Sequence, residues 1–387
     1  MNDDAGTTRV LIIGLGDLGQ RLLHMLVGEH GSPYEVVVAA RSGERALRFA
    51  NLGRYTAANL GRVTSVGSAE IDLEDVDRTA ETLAGIRPDI VVNAASLQAA
   101  RAILDLPDKT FRELDEAQLG PWLPMHLALN HRLMLALRRA GSAALAVNTA
   151  YPDAVGPALA SIGLAPHIGI GNVGNIVPAL TFAAALELDR DPASVRVRVV
   201  AHHYFSHHVH RYGEADGVPY VIEVSDAVTG EILRPRPERM FAHLTGPLKR
   251  QGGTKGQQLT SASALQVVRA LTSNEERRLH APAPHGRVGG YPVAVSAAGI
   301  RLDLPAGLTE QAAVAVNEEC QRIDGIDAVH PGGRIVFAKE SMSVMQRLLG
   351  YDCPEMLVED ALPLARELSD KYTEFAERQA RADVVAR

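Results

Sequence analysis

The chain is poor in the residues that mark several protein classes. Of its 387 residues only two are cysteines, Cys320 and Cys353, and they lie too far apart in the sequence to form a metal-binding pair, so a reducing cytoplasm is expected. Lysine occurs at only five positions, and none of these follows a tyrosine by four residues. The missing Tyr-x-x-x-Lys pair argues against the short-chain reductase mechanism. Gly-x-Ser-x-Gly, Walker-type and His-Glu-x-x-His patterns are missing as well.

An excess of positive charge and long apolar runs are also lacking. The net charge of −7 gives no reason to expect nucleic acid or an anionic membrane as a partner. No apolar stretch reaches the length of a membrane span, and the acidic start of the chain lacks the apolar segment of a signal peptide. A hydrophobic content of 46% with 22% charged residues is typical of a soluble globular protein, and a length of 387 residues favours two domains.

The sequence is organised around a glycine-rich turn near its start. An apolar run over residues 10–13 predicts a buried strand, a Gly-x-Gly-x-x-Gly turn follows it, and a helical pattern of leucines comes next. This context is typical of a dinucleotide site, because the first glycine makes the turn, the second admits the pyrophosphate, and the third lets helix and strand pack closely. The helix N-terminus offers N–H groups to the phosphates. The alternative is a glycine-rich turn without a ligand. The candidate cofactor-binding residues here are Gly14, Gly16, Asp17, Leu18 and Gly19.

Strand-like and helix-like segments alternate regularly up to about residue 150. This alternation predicts parallel βαβ units, and therefore an α/β fold with a Rossmann-type doubly wound parallel sheet over residues 1–150. Residues 151–387 are predicted to form an α+β substrate domain, whose C-terminal helix is able to pack back on the first domain. Residues 105–118 are polar and irregular, which predicts a surface excursion, and residues 246–256 are rich in Gly, Lys and Arg, which predicts a mobile loop.

About 20 residues beyond the glycine turn, a site for NAD would place an acidic residue on the ribose hydroxyls. This chain has Arg41 and Ser42 there, with Arg45 one turn further on. A guanidinium and a hydroxyl suit the 2′-phosphate of NADP, and the alternative is a solvated arginine at a strand end. Asp72 closes the third strand and is a candidate acceptor for the adenine amino group; it is equally a candidate N-cap for the following helix.

Further candidates follow the fourth and fifth strands, at the edge where open α/β sheets bind ligands. Small residues after the fourth strand would let the nicotinamide half of the cofactor lie close to the backbone. A polar pair ends the fifth strand, where it could bond the carboxamide. Both segments equally suit helix caps or turns. The residues concerned are Asn93, Ala94, Ala95 and Ser96 in the first segment and Asn148 and Thr149 in the second.

A second glycine run, at residues 169–174, also fits the dinucleotide spacing, but only a short strand precedes it. We interpret it as a hinge into the second domain that brings Asn172 and Asn175 near the cofactor.

Residues 202–210 contain five histidines, the densest group of titratable side chains in the sequence. On a strand, His202, His208 and His210 would share one face. A zinc site, an acid–base histidine facing the substrate and a hydrated edge strand are the three interpretations.

Several of these features together resemble the saccharopine dehydrogenase-like NADP-binding family. They are the first strand with its glycine turn, Arg41-Ser42, Asp72 and the segment at 88–95. The second half, which begins with Tyr151-Pro-Asp, is similar in layout to that family and to opine dehydrogenases. The resemblance implies NADP(H) as cofactor, with hydride transfer to or from an imine or a substrate of the 2-oxo acid or amino acid type.

The predicted protein is therefore a cytoplasmic NADP(H)-dependent oxidoreductase. We expect a homo-oligomer that binds a small carboxylate-bearing substrate in the cleft between its domains and holds no metal. The alternatives are another NADP-dependent dehydrogenase or reductase on the same fold, and a non-catalytic NADP sensor. Candidate proton donors are His203, Tyr204 and Tyr151, and candidate substrate-binding residues are Asn172, Arg211 and Arg287.

Overall fold

The computed structural model describes residues 7–30, 34–97, 103 and 106–385. Its largest element is a parallel sheet of six strands in the order β3-β2-β1-β4-β5-β6, which confirms the predicted Rossmann-type α/β fold. The strands are β1 (Thr8–Ile13), β2 (Tyr34–Ala40), β3 (Val66–Glu70), β4 (Ile90–Asn93), β5 (Leu145–Asn148) and β6 (Ile168–Gly169). Ile13, Asn93 and Asn148 are partners across β1, β4 and β5, so the carboxyl ends of these strands form one edge.

Helices connect these strands and cover both faces of the sheet. Their starts follow from local capping: Ser42 accepts a hydrogen bond from the N–H of Arg45, and Asp75 accepts one from the N–H of Arg78. The helices of this part are α1 (Asp17–Val27), α2 (Gly43–Asn59), α3 (Val76–Ile86), α4 (Asp108–Asp115), α5 (Leu123–Arg139) and α6 (Pro152–Ala160).

The rest of the chain adds three antiparallel sheets of three strands each. The first contains β7 (Val195–Val200), β8 (Val221–Asp226) and β9 (Ile232–Leu233); the second β10 (Arg277–Pro282), β11 (Gly290–Ser296) and β12 (Gly299–Leu302); the third β13 (Ile326–Val329), β14 (Arg334–Phe337) and β15 (Glu355–Leu357). The helices are α7 (Val173–Leu188), α8 (His203–Tyr212), α9 (Pro237–Thr245), α10 (Gln257–Leu271), α11 (Glu310–Ile323), α12 (Lys339–Leu349) and α13 (Ala361–Val385).

The later helices pack on both flanks of the first sheet. On one flank α10 contacts α1, where Arg269 Nε donates to Glu29 Oε2 at 2.6 Å. On the other flank α13 contacts α5, and the rings of Trp122 and Tyr372 meet edge to face at 5.5 Å. The strand β6 also lies beyond residue 150, so the sheet extends past the expected boundary. Division of the chain at that residue stays a prediction.

Two segments differ from their predicted local structure. The histidine-rich segment is not a strand but the helix α8, because His203, His207 and His210 recur with helical spacing and the segment is capped at both ends. The polar segment at 105–118 is not irregular throughout, since it contains α4, which packs against α12. No helix in the described part of the chain is long and apolar enough to cross a membrane.

Candidate functional site

The glycine turn lies at the carboxyl edge of the sheet, and each of its glycines is placed differently. Gly14 has a φ of +97°, and a Cβ there would lie 2.6 Å from the backbone nitrogen of Ala95. A Cβ on Gly19 would lie 2.1 Å from the carbonyl oxygen of Gly14, so helix and turn are in direct backbone contact. A Cβ on Gly16, in contrast, would meet no atom of the described residues within 4 Å. Gly16 therefore borders open space, which fits the approach of a pyrophosphate.

Gly16 is also the N-cap of α1, and no side chain among the described residues caps this helix. The first N–H groups of a helix have no intrahelical partner, and they carry the positive end of its dipole. Asp17 in the first turn is held by Arg21 at 3.0 Å. The turn therefore presents unused N–H donors and a neutralised carboxylate to an anion.

A cavity of about 1550 Å³ runs from this turn to the N-terminus of α8. It is large enough for a dinucleotide and a small substrate together. The predicted cofactor residues that line it are Gly14, Gly16, Asp17, Leu18, Arg41, Ser42, Asp72, Ala94, Ala95, Ser96 and Thr149; the predicted substrate or proton-transfer residues that line it are Tyr151, Asn172, His203 and Tyr204. Gly19, Asn93, Asn148, Arg211 and Arg287 do not line it.

At one end of the cavity the side chain of Arg41 is exposed beside Ser42, which caps α2. Arg45 donates to the carbonyl oxygen of Leu15 at 3.0 Å and therefore braces the glycine turn. A carboxylate that the sequence did not indicate lies nearby: Glu70 Oε2 accepts from the N–H of Gly43 at 3.3 Å. Its other oxygen accepts from Arg78 at 3.0 Å, so this carboxylate is already paired.

Asp72 lines the same end of the cavity, and its Oδ1 accepts from the N–H of Glu74 at 3.1 Å. The N-cap of α3 is Asp75, so the capping role considered for Asp72 belongs to another residue. One carboxylate oxygen of Asp72 thus remains for a ligand.

The two asparagines at the strand ends are buried and bonded within the protein. Asn93 donates to Asn130 at 2.8 Å and accepts from the N–H of Ala95 at 3.1 Å. Asn148 donates to the carbonyl oxygen of Ala150 at 3.0 Å and accepts from its N–H at 2.8 Å. Both amides therefore shape the turns that line the cavity, which is the turn interpretation considered from the sequence.

The far end of the cavity contains a buried carboxylate with three polar neighbours. Tyr151 donates its hydroxyl to Asp324 Oδ2 at 2.8 Å, and His203 Nδ1 lies 3.1 Å from the same oxygen. His202 Nδ1 lies 3.6 Å away. Asp324 is only 1% exposed, whereas the side chain of His203 is 24% exposed and faces the cavity. The carboxylate thus orients an imidazole whose outer nitrogen is open to a ligand.

Burial and charge set the protonation of this group. Burial alone lowers the pKa of His203, but the Asp324 carboxylate outweighs it and raises that pKa above its ordinary value of 6.5. Burial raises the pKa of Asp324, and the cation of His203 overcomes this effect, so that its pKa is lowered. Burial, with Asp324 second, holds the pKa of Tyr151 well above its ordinary value. These shifts favour the imidazolium form of His203 beside the carboxylate form of Asp324, and the neutral form of Tyr151.

A second buried carboxylate, Asp153, fixes the start of α8. Its Oδ1 accepts from the N–H of His203 at 2.9 Å, and its Oδ2 accepts from the amide of Asn172. Tyr151 and Asn172 both have positive φ values, 43° and 48°, and neither is glycine. Strained backbone of this kind persists where the surroundings impose it, and it is concentrated at functional sites.

The predicted arginines of the substrate site do not line the cavity and are already paired. Arg211 is bonded to Asp115, and Arg287 is bonded to Glu310 at 2.7 Å. At this end of the cavity the lining arginine is Arg250, whose Nε donates to His210 Nε2 at 3.2 Å. The side chain of Arg250 is exposed, and no carboxylate among the described residues is paired with it. Arg250 is therefore the available guanidinium.

The histidines of α8 do not form a metal centre. No group of three or more His, Cys, Asp or Glu side chains in the described part of the chain could hold a metal ion. Burial lowers the pKa of His207 and of His210 to about 4, so both imidazoles are neutral at neutral pH. Within this segment the pKa of His203 is thus raised, whereas the pKa values of His207 and His210 are lowered.

Residues 10–106 match the family model described as the saccharopine dehydrogenase NADP binding domain. This match confirms the resemblance over that segment and assigns a nicotinamide-dinucleotide-binding domain to the chain. With the Rossmann-type sheet, it defines an oxidoreductase. The chain matches no protein of curated function.

Solved structures with a similar fold include several dehydrogenases. They include the lactate dehydrogenase from Eimeria maxima with NADH and oxamate, at 13% identity and a TM-score of 0.53, covering 81% of this chain and 90% of that one. The lactate dehydrogenase from Cryptosporidium parvum, complexed with lactic acid and nicotinamide adenine dinucleotide, shows 13% identity and a TM-score of 0.55, covering 82% and 96%. The malate dehydrogenase from Aeropyrum pernix shows 15% identity and a TM-score of 0.53, covering 81% and 96%. At such identities the likeness concerns the fold alone.

Proposed function

We propose that the protein is an NADP(H)-dependent oxidoreductase that reduces an imine or a 2-oxo acid, or catalyses the reverse oxidation. The observation that carries this proposal is the His203–Asp324 pair in the same cavity as the glycine turn. Reduction of C=N or C=O requires one proton for every hydride, and an oriented imidazolium is a suitable source.

The residues around the glycine turn would hold the dinucleotide. The N–H groups at the start of α1 suit the pyrophosphate, Arg41 suits a 2′-phosphate, and Asp72 suits the adenine. The small residues Ala94 and Ala95 leave room for the nicotinamide half. When bound, the reduced nicotinamide supplies a hydride to the substrate carbon.

His203 would then manage the proton. In reduction, its outer nitrogen gives a proton to the substrate nitrogen or oxygen, and the imidazole becomes neutral; in oxidation it takes that proton back. Asp324 stabilises the cationic form and holds the ring in place. Tyr151 is less suited to donate, because burial and the adjacent carboxylate both hold its proton in place. Its hydroxyl group instead stabilises the Asp324 carboxylate by a hydrogen bond.

The substrate would carry a carboxylate, which Arg250 is placed to bind. A guanidinium grips a carboxylate through paired N–H donors, and the Nη atoms of Arg250 remain after its Nε has bonded His210. Asp115 lines the same region, bonded to Arg211. Because Asp115 is already paired, Arg250 is the charge that favours a small acidic substrate.

The proposal is tested by turnover. Purified protein is mixed with NADPH, and oxidation of the cofactor is followed by absorbance with pyruvate or 2-oxoglutarate, each alone and with ammonium or an amino acid as amine donor. We expect turnover with at least one pair and a loss of roughly 10²–10⁴-fold in His203→Gln. Tight NADPH binding without turnover on any pair would instead support a sensor.

A further inference from the structure

A second imidazole lies close to the proton-transfer pair but does not belong to it. His126, in the first turn of α5, lines the cavity and is only 4% exposed. Its ring centroid lies 6.0 Å from that of Tyr151, and the Tyr151 ring lies 5.6 Å from that of His203. One tyrosine ring therefore stands between two imidazoles that reach the same part of the cavity.

The two imidazoles differ in charge. Burial lowers the pKa of His126 to about 4, and the cation of His203 acts in the same direction. The pKa of His203 is raised by Asp324. The same cavity thus contains one imidazole whose pKa is raised and one whose pKa is lowered.

The position of the proton on His126 follows from its surroundings. Its Nδ1 atom is buried and has no hydrogen-bond partner in the described part of the chain. A buried N–H without an acceptor is rarer in proteins than an unsatisfied acceptor, so a bare Nδ1 is favoured. The proton then resides on Nε2, the ring nitrogen left to reach the cavity. His126 is therefore a neutral donor whose Nε2 has no acceptor among the residues that the structure describes.

We propose that His126 binds the substrate, donating from Nε2 to an oxygen next to the reacting carbon, either the carbonyl oxygen or a carboxylate oxygen of a 2-oxo acid. The inference rests on the proposed function and deepens it. A neutral donor polarises or orients such an oxygen without losing its proton, which leaves proton delivery to His203. This division of work fits the opposite directions in which the pKa values of the two imidazoles are shifted.

Three substitutions at one position separate this role from simple packing. In His126→Gln the amide nitrogen replaces Nε2, in His126→Asn it reaches only the position of Nδ1, and in His126→Leu the donor is lost. We expect the KM for the 2-oxo acid to rise roughly 10-fold in the Leu and Asn variants and to return close to wild type in the Gln variant. The affinity for NADPH, measured by fluorescence titration, should stay unchanged in all three.

His131→Leu is the matched control, because His131 lies on the same helix and does not line the cavity. Melting temperatures identify any variant that fails to fold. A Gln variant that behaves like the Leu variant would overturn the inference, since packing would then account for the effect. An equal loss of NADPH affinity would overturn it too, because the acceptor would be the cofactor. Wild-type turnover with unaffected variants would reject His126 alone, whereas wild-type protein without turnover would reject the proposed function and this inference with it.

Discussion

His203 Nδ1 lies 3.1 Å from Asp324 Oδ2, although 121 residues separate them in the sequence. Three further contacts fix this geometry: the hydroxyl of Tyr151 on the same oxygen, Asp153 on the N–H of His203, and the N–H of Gly120 on the carbonyl oxygen of Asp324 at 2.7 Å. The pair is thus held by residues at the start of α6 and just before α5, and it combines a partly exposed imidazole with a buried counter-ion.

Removing the counter-ion should shift the pH profile. In Asp324→Asn the pKa of His203 falls, because the carboxylate that most strongly opposes the effect of burial is lost. The rate of reduction declines as pH rises through this pKa, so the decline should move to lower pH. At pH 7.5 kcat/KM should fall by roughly 100-fold or more. Asp327→Asn, at an exposed position three residues on, is the control and should leave the profile unchanged.

The same pair should make stability depend on pH. The raised pKa of His203 gives stabilisation that is fully present below pH 6.5 and is lost as pH rises through the folded-state pKa. The lowered pKa of Asp324 gives stabilisation that is present above pH 3.8 and is lost as pH falls. Between pH 3.8 and pH 6.5 both contributions to stability are present. Urea unfolding of wild type and His203→Gln should differ most near pH 5–6, and a difference that is constant up to pH 9 would contradict this assignment.

Arg41 should determine the choice between cofactors. One charge-assisted hydrogen bond to the 2′-phosphate contributes about 1.5–3 kcal/mol, which predicts a preference for NADPH over NADH of roughly 10- to 100-fold. Arg41→Ala should remove most of it by weakening NADPH binding. Arg48→Ala, on the exposed side of α2 and paired with Glu44, is the control. Equal affinities in the wild-type protein would show that Arg41 does not meet a phosphate.

A substitution of Glu70 tests whether a carboxylate near the expected ribose affects NADPH binding. The Glu70 carboxylate touches the first N–H of α2 and therefore lies near the expected ribose. Because Arg78 neutralises it, we expect Glu70→Gln to strengthen NADPH binding only slightly. A large gain would mean that the carboxylate repels the phosphate in the wild-type protein.

Two glycines of the turn should respond differently to substitution. Gly16→Val places a side chain in open space and should leave the protein folded while it blocks the dinucleotide. Gly19→Ala places a Cβ 2.1 Å from the carbonyl oxygen of Gly14 and should lower the melting temperature. Thermal melting and NADPH titration of both variants provide the measurement. A folded Gly16→Val with normal NADPH affinity would show that the cofactor lies elsewhere.

Arg250 should contribute to binding of the substrate and not to binding of the cofactor. Arg250→Gln removes the available guanidinium from this end of the cavity, so the KM for a 2-oxo acid should rise roughly 10-fold or more. Lys249→Gln is the control, because the neighbouring lysine is exposed and does not line the cavity. If NADPH affinity falls while KM is unaffected, Arg250 binds the cofactor phosphates.

The predictable parts of the site are those formed by residues that are close together in the sequence. The glycine turn, Arg41 and the small residues after β4 follow directly from strand, turn and helix signals. Asp324 and Asp153 gave no such signal, because their roles depend on residues that are distant in the sequence. Only the fold brings those residues into contact with the two carboxylates. His126 likewise belongs to no motif, and only the packing of α5 brings it to the cavity. The histidines at 203, 207 and 210 did have helical spacing, and that period would have indicated α8.

The arrangement of α10 and α13 has a consequence for synthesis of the chain on the ribosome. Domains generally fold from the N-terminus as they emerge, yet the apolar side of α5 is covered by residues as late as Phe375. That side, with Trp122 and Leu127, therefore stays uncovered until almost the whole chain has been made. A nascent chain stalled before α13 should expose this surface and aggregate or recruit chaperones, even though its glycine turn and parallel strands are already complete.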